Sequence, residues 1–270
     1  MEQHLTLREI QLEELDILKK VTKYIDDKEL RYYIAGGTLL GAIRHNGFIP
    51  WDDDIDILMP REDYEKFIKY AEEDFIGNNY ETLTLENGKH NRPFCKVINK
   101  NISIKSKSKE DKNLWIDIFP LDGLPDSMEE SKKIIKKCLF YKGQIYLRTT
   151  KCKEILKEKK SIYNKFIKLI LKPFTYRHKI VYYSCKINNI AKKYDYSNSN
   201  IVGSLVWTDG YQAIYNKKWF NRSIKHEFED GLFNIPEGWD EYLKNLYGDY
   251  MVIPSEENRT SHTIIAKNNE

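Results

Sequence analysis

The chain has 270 residues, 41% of them apolar and 31% charged, with a net charge of +3, the profile of an ordinary water-soluble protein with room for one large domain or two small ones. No apolar run approaches the ~18 residues of a membrane span and no basic-then-apolar leader opens the chain, so the expected location is the cytoplasm. Four widely separated cysteines, Cys95, Cys138, Cys152 and Cys185, form no CxxC pair and call for neither zinc nor a disulfide framework.

Thr6 and Glu9 have the spacing of a capping box, and Leu15, Leu18, Val21 and Ile25 follow at helical intervals, which predicts an amphipathic helix packed on the domain. The β-prone run Tyr32-Tyr33-Ile34 leads through Ala35-Gly36-Gly37-Thr38 to a helix over 39–43, the order strand, glycine turn, helix. After Pro50, Ile55, Ile57 and Leu58 alternate with Asp54 and Asp56 until Pro60, a period-two strand with one apolar and one acidic face. Tyr64, Phe67, Ile68 and Ala71 predict a helix, and 80–85, 94–98 and 114–119 predict strands. Residues 131–193 read as several helices interrupted at Pro173, and 240–246 as a short helix stopped by Gly248. The expected fold class is α+β, with a core over 1–126 and 195–270 and a helical insertion over 127–194.

The acids carry the chemistry. On a strand, Asp54 and Asp56 share a face with Cα atoms roughly 6.5 Å apart, and two carboxylates so placed in a cleft repel unless a cation sits between them. Oxygen ligands of this kind suit Mg²⁺ or Mn²⁺. Asp117 is the one charged residue in the apolar strand 114–119, costly there unless paired or metal-bound, and is the third ligand expected. Asp52 and Asp53 read as supporting residues of the turn that leads into the strand, available to a base such as Arg44. Gly36, Gly37 and Thr38 fit the same site, because glycines let backbone N–H groups approach a phosphate and the following helix adds its N-terminal dipole.

Strand, Gly-Gly, helix, Asp-x-Asp strand and a later strand with a single Asp together resemble the nucleotidyltransferase superfamily. More closely, GGTLLGAIRHNGFIPWDDDIDILMPREDY with WIDIFPLDGLP, and IPEGWDEYLKNLYGDYM near the C-terminus, resemble the LicD family. Its bacterial members move phosphocholine from CDP-choline to a cell-surface sugar, and its animal relatives, fukutin and fukutin-related protein, move ribitol phosphate. The resemblance implies a nucleotidyltransferase-like mixed sheet flanked by helices, a CDP-linked donor whose diphosphate meets metal on Asp54, Asp56 and Asp117, and a glycan acceptor, commonly lipid-carried. It further implies Arg44 and Lys96 as clamps on donor phosphates, His45 as a hydrogen-bonding or loop-ordering residue, and Arg259 and His262 closing over the site. Trp51, Trp115, Trp207 and Trp239 are available to stack on a base or enclose a quaternary ammonium, or to pack the core. After YGDYM this chain has Val252-Ile253-Pro254-Ser255 where relatives commonly carry a proline pair.

Rival readings lack a feature each. A haloacid-dehalogenase-type phosphatase expects an apolar strand running straight into its first Asp, whereas Pro-Trp-Asp-Asp intervenes here. An Asp-x-Asp glycosyltransferase lacks the preceding Gly-Gly, and a calcium-binding loop of the EF-hand kind is absent. The small net charge conceals a segregation: residues 131–193 hold 19 Lys and Arg against Glu154 and Glu158, while the rest of the chain is net negative by 14. With its aromatic and aliphatic residues, IYNKFIKLILKPFTY (162–176) suits a helix in an anionic membrane interface, the partner favoured over a plain solvated face and over nucleic acid.

Overall fold

In the computed structural model, which describes residues 4–74, 79–105, 111–158, 161–208, 210–259 and 265–269, the capping box forms as expected. The Glu9 carboxylate accepts the Thr6 N–H at 2.7 Å and the Thr6 hydroxyl accepts the Glu9 N–H. Helix α1 follows over Leu7–Asp27 and buries the stripe Ile10, Glu14, Ile17, Leu18, Val21 and Ile25. Next come β1 (Tyr33–Ile34), α2 (Gly36–His45), β2 (Asp56–Pro60), α3 (Arg61–Asp74), β3 (Tyr80–Leu83), β4 (Cys95–Lys105) and β5 (Asn113–Leu124). Four helices then occupy the basic region: α4 (Met128–Thr149), α5 (Cys152–Lys157), α6 (Ile162–Leu171) and α7 (Ile180–Ala191), with Pro173 in a 3-10 turn between the last two. The chain finishes with β6 (Ile201–Gly203), β7 (Ile214–Asn216), β8 (Ser223–Phe228), β9 (Gly231–Pro236), α8 (Trp239–Tyr247) and β10 (Ile265–Asn268).

Eight strands make one mixed sheet in the order β1-β2-β5-β4-β10, with β3 added on β4 and β6 then β7 added on the far end of β5. Among the described residues only β2 and β5 run parallel, and their register sets Asp56 opposite Asp117. On its other side β5 lies antiparallel to β4, where Lys96 is opposite Asp117. β8 and β9 form a separate hairpin. The class is therefore α+β, a mixed sheet flanked by helices.

The strands expected over 80–85, 94–98 and 114–119 form at Tyr80–Leu83, Cys95–Lys105 and Asn113–Leu124, and two further shifts of boundary bear on the site. Helix α2 starts at Gly36 rather than Leu39, because the Ala35 carbonyl already accepts the Leu39 N–H. Strand β2 starts at Asp56, so Asp54 lies in the irregular stretch before it. The local cause is Thr38, whose hydroxyl accepts the Asp56 N–H at 2.9 Å and ties the strand's first residue to α2.

One apolar cluster fills the space between the sheet, α1 and α3. A second joins Ile134, Ile135 and Cys138 of α4 and Ile187 of α7 to Phe94, Leu124 and Leu205. A buried ion pair ties these regions together: Arg61 Nε lies 2.6 Å from Asp122 Oδ1, and Arg61 also reaches Asn188 of α7. Removing one member of such a pair strands the other charge in the interior at a cost of about 3–5 kcal/mol. Asp122→Ala is expected to lower unfolding stability by about 3 kcal/mol in a urea melt, and a loss under about 1 kcal/mol would show that water reaches Arg61.

Candidate active site

The approach of α2 to the acidic stretch accounts for its two glycines. Gly36 has φ +54, and a Cβ there would stand 3.0 Å from Asp56 Oδ2; a Cβ on Gly37 would stand 2.8 Å from Asp52 Oδ2. Side chains at these positions would displace the carboxylates, and at Gly36 would also be strained. The glycines therefore let two acids close onto the N-terminus of a helix, where the dipole favours negative charge. Thr38 is engaged with the Asp56 backbone, and the Gly36 N–H donates to the Tyr242 hydroxyl at 3.2 Å.

Asp56 and Asp117 are neighbours across the parallel pair, and Asp54 enters the same field from the preceding loop. Burial, then repulsion from Asp54 and Asp117, pushes the Asp56 carboxyl well above the usual range. Asp117 is pushed up to about 6, by burial against the opposing pull of Lys96. Its Oδ1 is buried without a hydrogen-bond partner, and Lys96 Nζ stands 4.0 Å away while engaging Asp111 at 2.7 Å. An all-oxygen set with an orphaned buried oxygen fits a hard divalent cation. Among the described residues no three His, Cys, Asp or Glu side chains are gathered closely enough to enclose an ion, so the acids meet as a registered pair with a neighbour rather than as a closed cage.

Another carboxylate belongs to this field. Glu14 of α1 is 1% exposed, its Oε2 has no hydrogen-bond partner, and burial followed by Asp54, Asp53, Asp52 and Asp117 drives its carboxyl well above the usual range. One turn earlier, Gln11 donates to the Asp52 carbonyl at 2.8 Å, so α1 braces the acidic loop from beneath. Sequence reading passed over Glu14, although it falls in phase with Ile10, Leu18, Val21 and Ile25 on the buried stripe. That phase is the signal that could have found it.

Two clefts flank the start of α2. The first, of about 230 Å³, is lined by Gly36, Asp56, Phe119, Tyr215, Tyr242 and Tyr247. The second, of about 360 Å³, is lined by Gly37, Arg44, Trp51, Asp52, Tyr247 and Arg259. Tyr247 belongs to both, so the two clefts adjoin there. Arg44 donates to the Tyr250 carbonyl at 2.6 Å and to His45 Nε2 at 3.0 Å, fastening the C-terminal loop to α2. Burial, then the Arg44 charge, lowers the His45 pKa.

Of the residues expected in a substrate site, Gly37, Arg44 and Arg259 come together in the second cleft, with His45 joined through Arg44. Gly36 and Asp56 face the first, and Lys96 and Asp117 continue that line across the sheet. His262 lies outside the described residues. Three of the tryptophans considered for stacking already hold a cation of this chain over the ring: Arg259 at 4.3 Å on Trp51, Lys96 at 3.7 Å on Trp115 and Lys142 at 4.6 Å on Trp207. Asp111, Tyr242 and Tyr247 were not anticipated, since their place in the site depends on pairings between distant segments.

Residues 29–153 match the family described as LicD/FKTN/FKRP, nucleotidyltransferase domain, so the strand-borne acids belong to a nucleotidyltransferase-class protein. Similarity to the "Lipopolysaccharide cholinephosphotransferase LicD" of Haemophilus influenzae extends much further, at 35% identity over 268 residues, 96% of this chain and 97% of that protein. The chain belongs to the LicD family and is a transferase. Shorter matches include the human "Ribitol 5-phosphate transferase FKRP", 40% identical over 53 residues, which are 18% of this chain and 11% of that one. An uncharacterized protein of Rickettsia prowazekii is 45% identical over 47 residues, 17% of this chain and 18% of its own length.

The crowded acids have a pH signature. A carboxyl whose folded pKa lies above its unfolded value keeps its proton longer in the folded chain, so its stability cost appears as pH rises past the unfolded value near 4 and grows until the folded value is passed. Glu14→Gln removes one such group. In EDTA the variant is expected to melt above the parent at pH 7, with the difference shrinking toward pH 4. A difference that does not change with pH would show that the Glu14 pKa is not raised above that of an exposed glutamate.

Proposed function

We propose that this transferase moves a phosphocholine group from a CDP-linked donor to a hydroxyl of a glycan precursor carried on lipid, releasing CMP. The acceptor oxygen forms a bond to the phosphorus that bears the choline, the bridging oxygen leaves with CMP, and the hydroxyl proton is lost to solvent. The observation that carries this reading is the Asp56–Asp117 register beneath the N-terminus of α2, opening into an aromatic cleft. The names of the Haemophilus and human relatives support a substituted phosphate as the transferred group, choline phosphate in one and ribitol phosphate in the other.

Mg²⁺ or Mn²⁺ on the Asp56–Asp117 pair, with Asp54 in the adjoining loop adding negative charge, would neutralise the transferring phosphate and the departing CMP. The remaining contributions come from the chain itself. The start of α2 offsets part of the negative charge of Asp52 and Asp56, and Phe119, Tyr215, Tyr242 and Tyr247 would offer ring faces to a quaternary ammonium. Arg44 and Arg259 supply positive charge in the adjoining cleft, suited to an anionic acceptor. A nucleotide-linked donor sets the reaction on the cytoplasmic side.

Incubation with Mg²⁺, a glycan acceptor and CDP-choline, CDP-ribitol or CDP-glycerol in turn, reading CMP release, tests the assignment. CDP-choline is expected to be turned over fastest, and Asp56→Asn and Asp117→Asn to lower kcat by about 10³-fold with the fold intact. Full turnover in either variant overturns the site, and preference for CDP-ribitol or CDP-glycerol overturns the choline assignment while leaving the site standing. Within the choline reading, Tyr247→Leu is expected to raise KM for CDP-choline up to about 10-fold, a cation–π contribution of about 1 kcal/mol, with little change for CDP-ribitol; equal changes for both donors would remove the ring from choline recognition.

A further inference from the structure

Helix α6 turns its apolar residues outward. Ile162, Tyr163 and Phe166 are 85%, 72% and 61% exposed, Ile170 one turn on is 50% exposed, and Phe174 beyond the helix is 71% exposed. No residue of α6 is buried. Its lysines are drawn inward: Lys165 Nζ donates to the Leu156 carbonyl at 2.9 Å, and Lys168 pairs with Glu158. A helix on the surface of a globular domain normally does the reverse.

The root of this segment is fixed in place. Lys172 is buried, and its Nζ caps the end of α4 by donating to the carbonyls of Leu147, Arg148 and Thr150, where a helix dipole favours a cation. Thr175 is fully buried, and its carbonyl accepts from Arg148 and from the Tyr183 hydroxyl, each at 3.2 Å. Buried polar contacts thus hold an apolar face in water. Around it, residues 151–179 carry ten Lys and Arg against Glu154 and Glu158, and Lys151, Lys153, Lys157, Arg177 and Lys179 are exposed.

We propose that Ile162–Tyr176 is an interfacial anchor for an anionic bilayer, its rings and aliphatic side chains entering the acyl boundary while the flanking basic residues meet lipid phosphates. Charge decides against a second copy of the chain as the occupant, because two such faces in apposition would press like charge on like charge, whereas anionic lipid neutralises it. At ten residues α6 is too short to span a bilayer, and among the described residues no helix is long and apolar enough to cross one, so the segment lies on the surface. The anchor is coupled to the first cleft through α4, whose Lys142 donates to the Thr208 carbonyl at 3.0 Å and lies over Trp207. That coupling would hold the cleft near a lipid-carried acceptor, a consequence that rests on the function proposed above; the membrane binding does not.

Flotation of the full chain with vesicles of phosphatidylcholine, with and without phosphatidylglycerol, tests the anchor without any assay of activity. Anionic vesicles are expected to carry at least about 10-fold more protein at low salt, and the exposed double variant Phe166→Ser/Phe174→Ser to bind them at least about 10-fold more weakly with an unchanged circular dichroism spectrum. Relative to the parent with its five tryptophans, Phe166→Trp is expected to add emission that shifts to the blue on vesicle addition and is quenched by brominated acyl chains. Absence of flotation with anionic vesicles overturns the proposal. Undiminished binding by the double variant reduces the contact to charge adsorption and overturns insertion. A dimer in solution that the same substitutions dissolve, with no flotation, assigns the face to a second copy.

Discussion

Repulsion among crowded carboxylates, most of them half-buried, is the constraint around which this molecule is organised. The parallel pairing of β2 with β5 sets Asp56 beside Asp117, and the loop before β2 adds Asp54, with Asp52 and Asp53 close by. A fold that concentrates negative charge in this way gives up stability unless something offsets it. The offsets are visible. A helix N-terminus faces the acids, two glycines remove the side chains that would hold it off, and Lys96 stands between Asp111 and Asp117. They are incomplete, since Asp117 Oδ1 and Glu14 Oε2 lack a hydrogen-bond partner, which supports the proposal of a charged ligand at this site.

Much of the surrounding structure holds this arrangement in place. Helix α1 underlies the acidic loop through Gln11 and Glu14, and Arg44 fastens the C-terminal loop against α2. Arg61 and Asp122, which lie within the two most recognisable stretches of the sequence, form a buried ion pair behind the site and reach α7 through Asn188. Their place in a characteristic motif therefore reflects architecture rather than contact with substrate. Both clefts share Tyr247, which puts donor and acceptor pockets side by side on the proposed reading.

The α+β class, the capping box, the stop at Gly248 and the acids themselves were legible in the sequence, because each depends on local spacing. What was not legible depends on distance along the chain. Period two in 54–58 predicts a strand containing both Asp54 and Asp56, but the first ladder position is decided by Thr38, 18 residues earlier, and excludes Asp54. Gly36 and Gly37 read as a phosphate-approach turn, whereas carboxylates of Asp56 and Asp52 fill the space beside them. Glu14 was hidden by its type, a charged residue at an apolar position of a helix that otherwise reads as packing. Over 162–176 the mixture of aromatic, aliphatic and basic residues suggested a helix, and α6 covers its first ten residues, yet nothing in that composition tells which face turns to water.

On the function proposed above, a divalent cation and a donor diphosphate meet at the registered pair Asp56–Asp117. Titrating Mn²⁺ into the chain with CDP present, and following free Mn²⁺ by electron paramagnetic resonance, addresses this with no acceptor and no turnover. The expected result is saturable binding in the parent chain that weakens at least about 10-fold in both Asp56→Asn and Asp117→Asn, the loss of one anionic ligand each. Binding of equal strength in the parent and both variants would contradict the account, as would no binding to the parent at all.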